Sequence, residues 1–220
     1  MPTIAELHIA KHEASKIKHP VSGELSSAYE LQLLKLNNDR ARLKKIQSRA
    51  LKIELKKNLV PEYKAWIDGV LIGGIGMQDD VFMHLLVWTL DIGDLENALP
   101  MAQYALKYEL VTPFQYKRQT ATLIADEVGD TALKLIASGI NVEPALLKDY
   151  IKELAKFDMH DQVRAKLHKA LGLALENTDL TEAVEHLERA LQLDAKCGVK
   201  KQLESILRKI KKTKENQIIN

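Results

Sequence analysis

Apolar residues recur every three or four positions along most of this chain, the spacing of one face of an α-helix. Residues 3–18 place Ile4, Leu7, Ala10, Ala14 and Ile17 at that spacing, and His19-Pro20 ends it, because proline disfavours helix at the residue before it. Ser22 or Ser26 is placed to cap the next helix. Residues 25–60 then hold neither Gly nor Pro and predict one polar-rich helix about 50 Å long. Within it Leu36, Leu43 and Ala50 repeat every seven residues, as do Ile46, Ile53 and Val60. The interleaved sets are the a and d positions of a helix that pairs with another, and Asn37, Asn38 and Asp39 weaken the pattern near its start. The partner is either a helix of the same chain, in a hairpin, or the same helix of a second copy.

Pro61 suits the first turn of a new helix, where its missing N–H costs little. Glycines at 69, 73, 74 and 76 predict a turn before an apolar run that ends at Leu90. Residues 94–106 (DLENALPMAQYAL) align without gaps to residues 179–191 (DLTEAVEHLERAL), with Asp, Leu, Ala, Ala and Leu in common. Small alanines at these spacings let two helices approach closely. The pattern is that of the second helix of a tetratricopeptide-like hairpin, with residues 85–90 and 167–175 supplying the first helices. Residues 196–214 predict a last helix with Val199, Leu203, Ile206, Leu207 and Ile210 on one side and lysines and arginines over the rest. The fold class read from these patterns is all-α. It comprises an N-terminal arm or short helix (1–24), a long basic helix (25–60), a central helical domain (61–160) and a terminal hairpin with a basic helix (161–220).

Composition agrees with helix and narrows the class. The 220 residues are 46% hydrophobic and 28% charged, a globular rather than a disordered balance. The one cysteine, Cys197, has no internal partner for a disulfide, as suits a reducing compartment. Residues 1–19 are amphipathic and carry Glu6 and Glu13, unlike a secretory leader. The most apolar stretch is interrupted by Asp68, Asp79, Asp80 and Asp91, unlike a membrane span. A soluble protein is expected.

Charge changes the picture more. The net charge is only +2, yet residues 1–60 hold twelve Lys/Arg against six Asp/Glu, residues 61–195 twelve against twenty-two, and residues 196–220 eight against two. Two basic ends flank an acidic middle, so a polyanion-binding protein hides behind a near-neutral total. The densest stretch contains Lys35, Arg40, Arg42, Lys44, Lys45, Arg49, Lys52, Lys56 and Lys57 against only Asp39 and Glu54. Such a stripe concentrates a phosphate backbone and releases its counterions, although phosphate contacts position DNA without reading its sequence. The same stripe also serves as the solvated face of a coiled coil.

Catalytic candidates are few. Asp79 and Asp80 are adjacent carboxylates that help hold Mg²⁺ in nuclease sites, or else cap the helix that begins there. Glu62-Tyr63-Lys64 imitates the end of a nuclease motif but lacks a supporting strand and an upstream acid. The glycines are followed by Met77-Gln78-Asp79 rather than Lys-Ser/Thr, so there is no phosphate-binding loop for ATP. His8 and His12 lie four apart with no closed ligand set, and His160, His168 and His186 are scattered among helical residues.

Five blocks, residues 76–80 (GMQDD), 87–94 (VWTLDIGD), 102–108 (AQYALKY), 163–169 (VRAKLHK) and 197–201 (CGVKK), resemble in kind and order the small terminase subunit of temperate contractile-tailed phages, over residues 29–212. The resemblance implies a protein of the host cytoplasm that assembles into a homo-oligomeric ring. It implies binding of double-stranded concatemeric viral DNA and delivery of that DNA to a large ATP-driven terminase subunit, with residues 161–193 offered to that subunit. This family is often labelled the terminase endonuclease subunit, which implies a part in cutting cohesive ends. Only Asp79 and Asp80 match a block onto which a Mg²⁺ role carries over, and DNA binding itself requires no cofactor. A helix-turn-helix near the N-terminus, common among small terminases, matches residues 3–35 poorly because the turn holds His19-Pro20. The alternatives are a metal-dependent endonuclease acting by itself and a helical scaffold with no nucleic-acid role.

Overall fold

The computed structural model describes residues 23–113 and 119–218. The expected helix over residues 3–18, with His8 and His12, lies outside them. The described residues are helical, with no strand among them. In chain order the helices are α1 (Gly23–Lys45), α2 (Arg49–Leu59), α3 (Lys64–Gly73), α4 (Asp80–Asp91), α5 (Leu95–Lys107), α6 (Thr120–Ala137), α7 (Pro144–Leu154), α8 (Asp161–Ala174), α9 (Leu180–Leu193) and α10 (Lys200–Ile218). Single 3₁₀ turns, Val60–Tyr63 and Leu175–Asn177, precede α3 and follow α8.

The chain divides into two compact units, Met1–Lys45 and Ile46–Asn220. The single helix expected over 25–60 is therefore corrected to two. Ser48 is extended (φ −65°, ψ 126°), and its hydroxyl accepts from the Leu51 amide at 3.4 Å, starting α2 anew. A serine side chain that satisfies an amide of the next turn offers the backbone an alternative to continued helix. The seven-residue pattern stops there too. Leu36 and Leu43 are buried, whereas Ala50 is exposed and Ile46, Ile53 and Val60 are only half-buried.

In the first unit, α1 buries Leu36, Asp39 and Leu43 on one side and leaves Leu31 and Leu34 exposed, at 66% and 59%. In the second unit, α4 is the central helix, and every residue from Val81 to Leu90 is buried. A helix apolar all round has to be surrounded. It packs against α3, α5 and α6, and against the turn at Val60–Tyr63. Two buried polar side chains bond within the helix: His84 Nδ1 lies 2.7 Å from the Asp80 carbonyl, and the Thr89 hydroxyl donates to the Leu85 carbonyl at 2.8 Å. Buried donors also tie neighbouring helices to the core: Thr131 on α6 donates to the Leu90 carbonyl at 3.1 Å, and Tyr150 on α7 to the Leu95 carbonyl at 2.8 Å.

Helices α8 and α9 form the closest helix pair. Gly172 permits it, because a methyl group there would meet Leu187 Cγ at 2.7 Å. The two aligned sequence segments occupy matching places. Asp94 caps α5 through the Asn97 amide, and Asp179 caps α9 through the amides of Thr181 and Glu182. Ala98, Ala105, Ala183 and Ala190 are fully buried. Helix α10 packs on α9, with Val199 just before it and Ile206 within it buried.

Candidate nucleic-acid interface

The nine cations of the basic stretch do not form one stripe. Lys35 and Arg42 both reach the buried Asp39, at 3.2 and 2.8 Å. Arg40 donates to Asn37 at 3.3 Å. On α2, Lys57 pairs with Glu54 at 2.8 Å, while Lys56 is drawn inward to Asp91 and over the Trp88 ring, fastening α2 to α4. Among the described residues this leaves Lys44, Lys45 and Arg49 exposed and Lys52 half-buried with no ion pair. These four lie within nine residues of chain, on either side of the break at Ser48. Cations without a carboxylate partner have no existing pair to give up when a phosphate approaches, whereas Lys56 would have to abandon a half-buried one.

The acidic pair is built into the fold. Asp79 is 7% exposed. Its Oδ1 accepts from the Phe82 amide at 2.9 Å, capping α4, and its Oδ2 accepts from the Trp66 indole N–H at 2.9 Å. Burial raises its carboxyl to about 6, against the pull of those hydrogen bonds. Asp80 is exposed and accepts from the Gln78 amide at 3.0 Å. Among the described residues no group of three or more His, Cys, Asp or Glu is arranged to hold a metal ion. Both Asp79 oxygens are thus engaged by donors of the fold, and only Asp80 of the pair is exposed.

Four of the five sequence blocks meet in pairs. Gly76 donates to the Tyr104 hydroxyl at 2.8 Å, and Tyr108 donates to the Gly74 carbonyl at 2.7 Å. Gln78 clasps the backbone of Val111 from both sides, at 2.9 and 2.8 Å. Gly76 (φ +73°) has no room for a side chain, since a methyl would sit 2.2 Å from the Tyr108 ring. Blocks 76–80 and 102–108 are thus two halves of one strapped loop. Block 163–169 supplies Lys166, which bridges Asp126 and Asp130 on α6 at 2.5 and 2.8 Å, and Lys169, which donates to the Cys197 carbonyl of the last block at 2.8 Å.

The family described as Phage small terminase subunit matches residues 33–162. Over 218 residues the chain is 39% identical to the protein named "Terminase, endonuclease subunit" of Escherichia phage P2, covering 99% of this chain and 86% of that one. This chain belongs to the phage small terminase subunit family. A more distant relative, the "Probable terminase, endonuclease subunit" of Haemophilus phage HP1, is 25% identical over 191 residues, covering 80% of this chain and 68% of its own. No solved structure matches the chain. Membership places this small terminase subunit in phage DNA packaging. Among its described residues no helix is long and apolar enough to cross a membrane.

One pair in this small terminase escaped the sequence reading. His168 on α8 and His186 on α9 stack at 5.1 Å between ring centroids, their Nδ1 atoms 2.9 Å apart. Burial, then each other's proximity and the nearby Arg189 and Arg164, holds the His168 imidazole down to about 4. The signal was present: both residues lie nine positions from Asn177, and antiparallel helices bring residues equidistant from their turn face to face.

Proposed function

We propose that this small terminase subunit holds double-stranded viral DNA by its phosphates and delivers it to the large ATP-driven subunit. In this reading it works as a homo-oligomeric ring in the host cytoplasm and binds without a cofactor. The observation that carries the reading is the group of unpaired cations Lys44, Lys45, Arg49 and Lys52 in a chain whose charge is segregated along its length. Paired cations nearby, Lys35, Arg40, Arg42, Lys56 and Lys57, order the backbone that presents them. The α8–α9 hairpin, over 161–193, serves as the surface offered to the large subunit, and its likeness to α4–α5 is a shared, tetratricopeptide-like packing solution. A ring multiplies four cations per copy into a continuous polycation.

Binding of a labelled 30-bp duplex, followed by fluorescence anisotropy across salt concentrations, tests this. Four phosphate contacts at these cations contribute about −3.6 to the slope of log affinity against log salt, by themselves roughly a 100-fold loss between 50 and 200 mM. Reversing Lys44, Lys45, Arg49 and Lys52 to Glu should abolish binding at 100 mM salt. Wild-type affinity in that variant overturns the assignment.

The printed names of both relatives favour a second reading, in which Asp79 and Asp80 take part in metal-dependent cutting of cohesive ends. Pure protein incubated with cohesive-end DNA and Mg²⁺, without the large subunit, decides between them. Cleavage that disappears in Asp79→Asn would establish the nuclease, and intact DNA would leave cutting to the partner.

A further inference from the structure

Helix α10 carries a second charged surface, separate in sequence from α1 and α2. It is seated by an apolar seam, with Val199 and Ile206 buried and Leu203 and Ile210 half-buried. It is held at its entry by Lys169 to the Cys197 carbonyl and along its length by Lys209 to Glu176, both at 2.8 Å. At about 100° per residue, Lys200, Lys201, Arg208, Lys211 and Lys212 fall on an arc of about 120° opposite that seam. All five are exposed. They extend about 18 Å along the helix at 1.5 Å per residue.

The acids on the arc neutralise it weakly. Glu204 lies 3.7 Å from Arg208 and Glu215 lies 3.9 Å from Lys211, with every partner exposed to solvent, where such pairs contribute little. Lys200, Lys201 and Lys212 make no ion pair among the described residues.

We infer that the outer face of α10 is a second binding surface for the phosphate backbone of duplex nucleic acid. This rests on the proposed role in holding viral DNA and adds a separate point of attachment to it. The side chains favour phosphate over an acidic protein. The arc carries no aromatic residue, and protein interfaces take most of their energy from buried Trp, Tyr and Arg anchors. Four of the five cations are lysines, flexible point charges suited to a repeating anion rather than to one fixed geometry.

The test uses the full chain and a 30-bp duplex of arbitrary sequence, with affinity measured from 50 to 300 mM salt. In the variant Lys200→Gln, Lys201→Gln, Lys211→Gln, Lys212→Gln the seam is untouched, so circular dichroism should match the wild type. Its salt slope should flatten by about 3 to 4, since each lost contact removes about 0.9. The pair Lys200→Gln, Lys212→Gln, which breaks no ion pair, should give about half of that and keeps the test independent of folding. A wild-type slope in the fourfold variant, with binding lost on changing Lys44, Lys45, Arg49 and Lys52, overturns this inference and leaves the proposed function standing. Absence of duplex binding by the unaltered protein overturns both. Displacement of the duplex by polyglutamate at equal charge concentration overturns the inference in favour of an acidic protein partner.

Discussion

Asp79 shows how one side chain serves the fold and sets a pH response at once. Its carboxyl rises from 3.8 to about 6 because it is buried. Between those values the folded protein keeps a proton that the unfolded chain has released. Stability from this group is therefore present below about pH 4 and lost as pH rises to about 6, by about 3 kcal/mol. Asp79→Asn keeps the cap through its one oxygen, gives up the Trp66 bond and removes the titration. Relative to wild type, its Tm should be equal or lower at pH 4 and gain steadily up to pH 6; parallel curves would show that the carboxylate is not desolvated. The cap itself was legible in the sequence, as an acid immediately before an apolar run. The Trp66 bond to its other oxygen was not, because thirteen residues separate the two.

At the scale of elements, the α8–α9 hairpin carries a titration of the opposite sign. His168 is lowered from 6.5 to about 4, first by burial and then by His186, Arg189 and Arg164. His186 is lowered chiefly by burial, with Lys148 acting in the same sense and Glu182 and Glu185 opposing. A neutral imidazole in the folded state forgoes a proton that the unfolded chain takes up, so stability is lost as pH falls from about 6.5 towards 4. Solvent screening reduces the effect to about 1 kcal/mol, or about 2–4 °C in Tm. His168→Gln should lessen the acid loss of Tm by that amount, checked by thermal denaturation at pH 7 and pH 5; an unchanged difference would mean that His168 is not desolvated. The second helix here was legible in the aligned segment 179–191, whereas the first, read over 167–175, begins six residues earlier at Asp161. The break at Ser48 was not legible, because the surrounding residues all favour helix and only the hydroxyl's local hydrogen bond opposes them.

For the whole molecule, exposed leucines bear on assembly. Leu31 and Leu34 lie on the side of α1 opposite Leu36 and Leu43, so the helix has a second apolar face suited to another copy. Under the proposed ring, Leu31→Glu with Leu34→Glu should reduce the solution mass from a multiple of the protomer to the protomer alone, measured by light scattering. A wild-type protein that is already monomeric would remove the ring from the proposal.

Helix as the sole regular structure among the described residues, the capping acids, the paired alanine segments and the charged ends were all determined by the sequence alone, because each depends on residues within a few turns of one another. Only tertiary structure decided that Lys56 is drawn away from the basic stretch. Lys56 and Lys45 look alike along the chain, but Asp91 arrives from another helix to neutralise the first. The same holds for the strapped loop at Gly76 and the stacked histidines, whose partners lie 18 to 34 residues away. Local patterns specify helices, whereas charge pairing and close packing depend on the groups that the folded chain brings alongside.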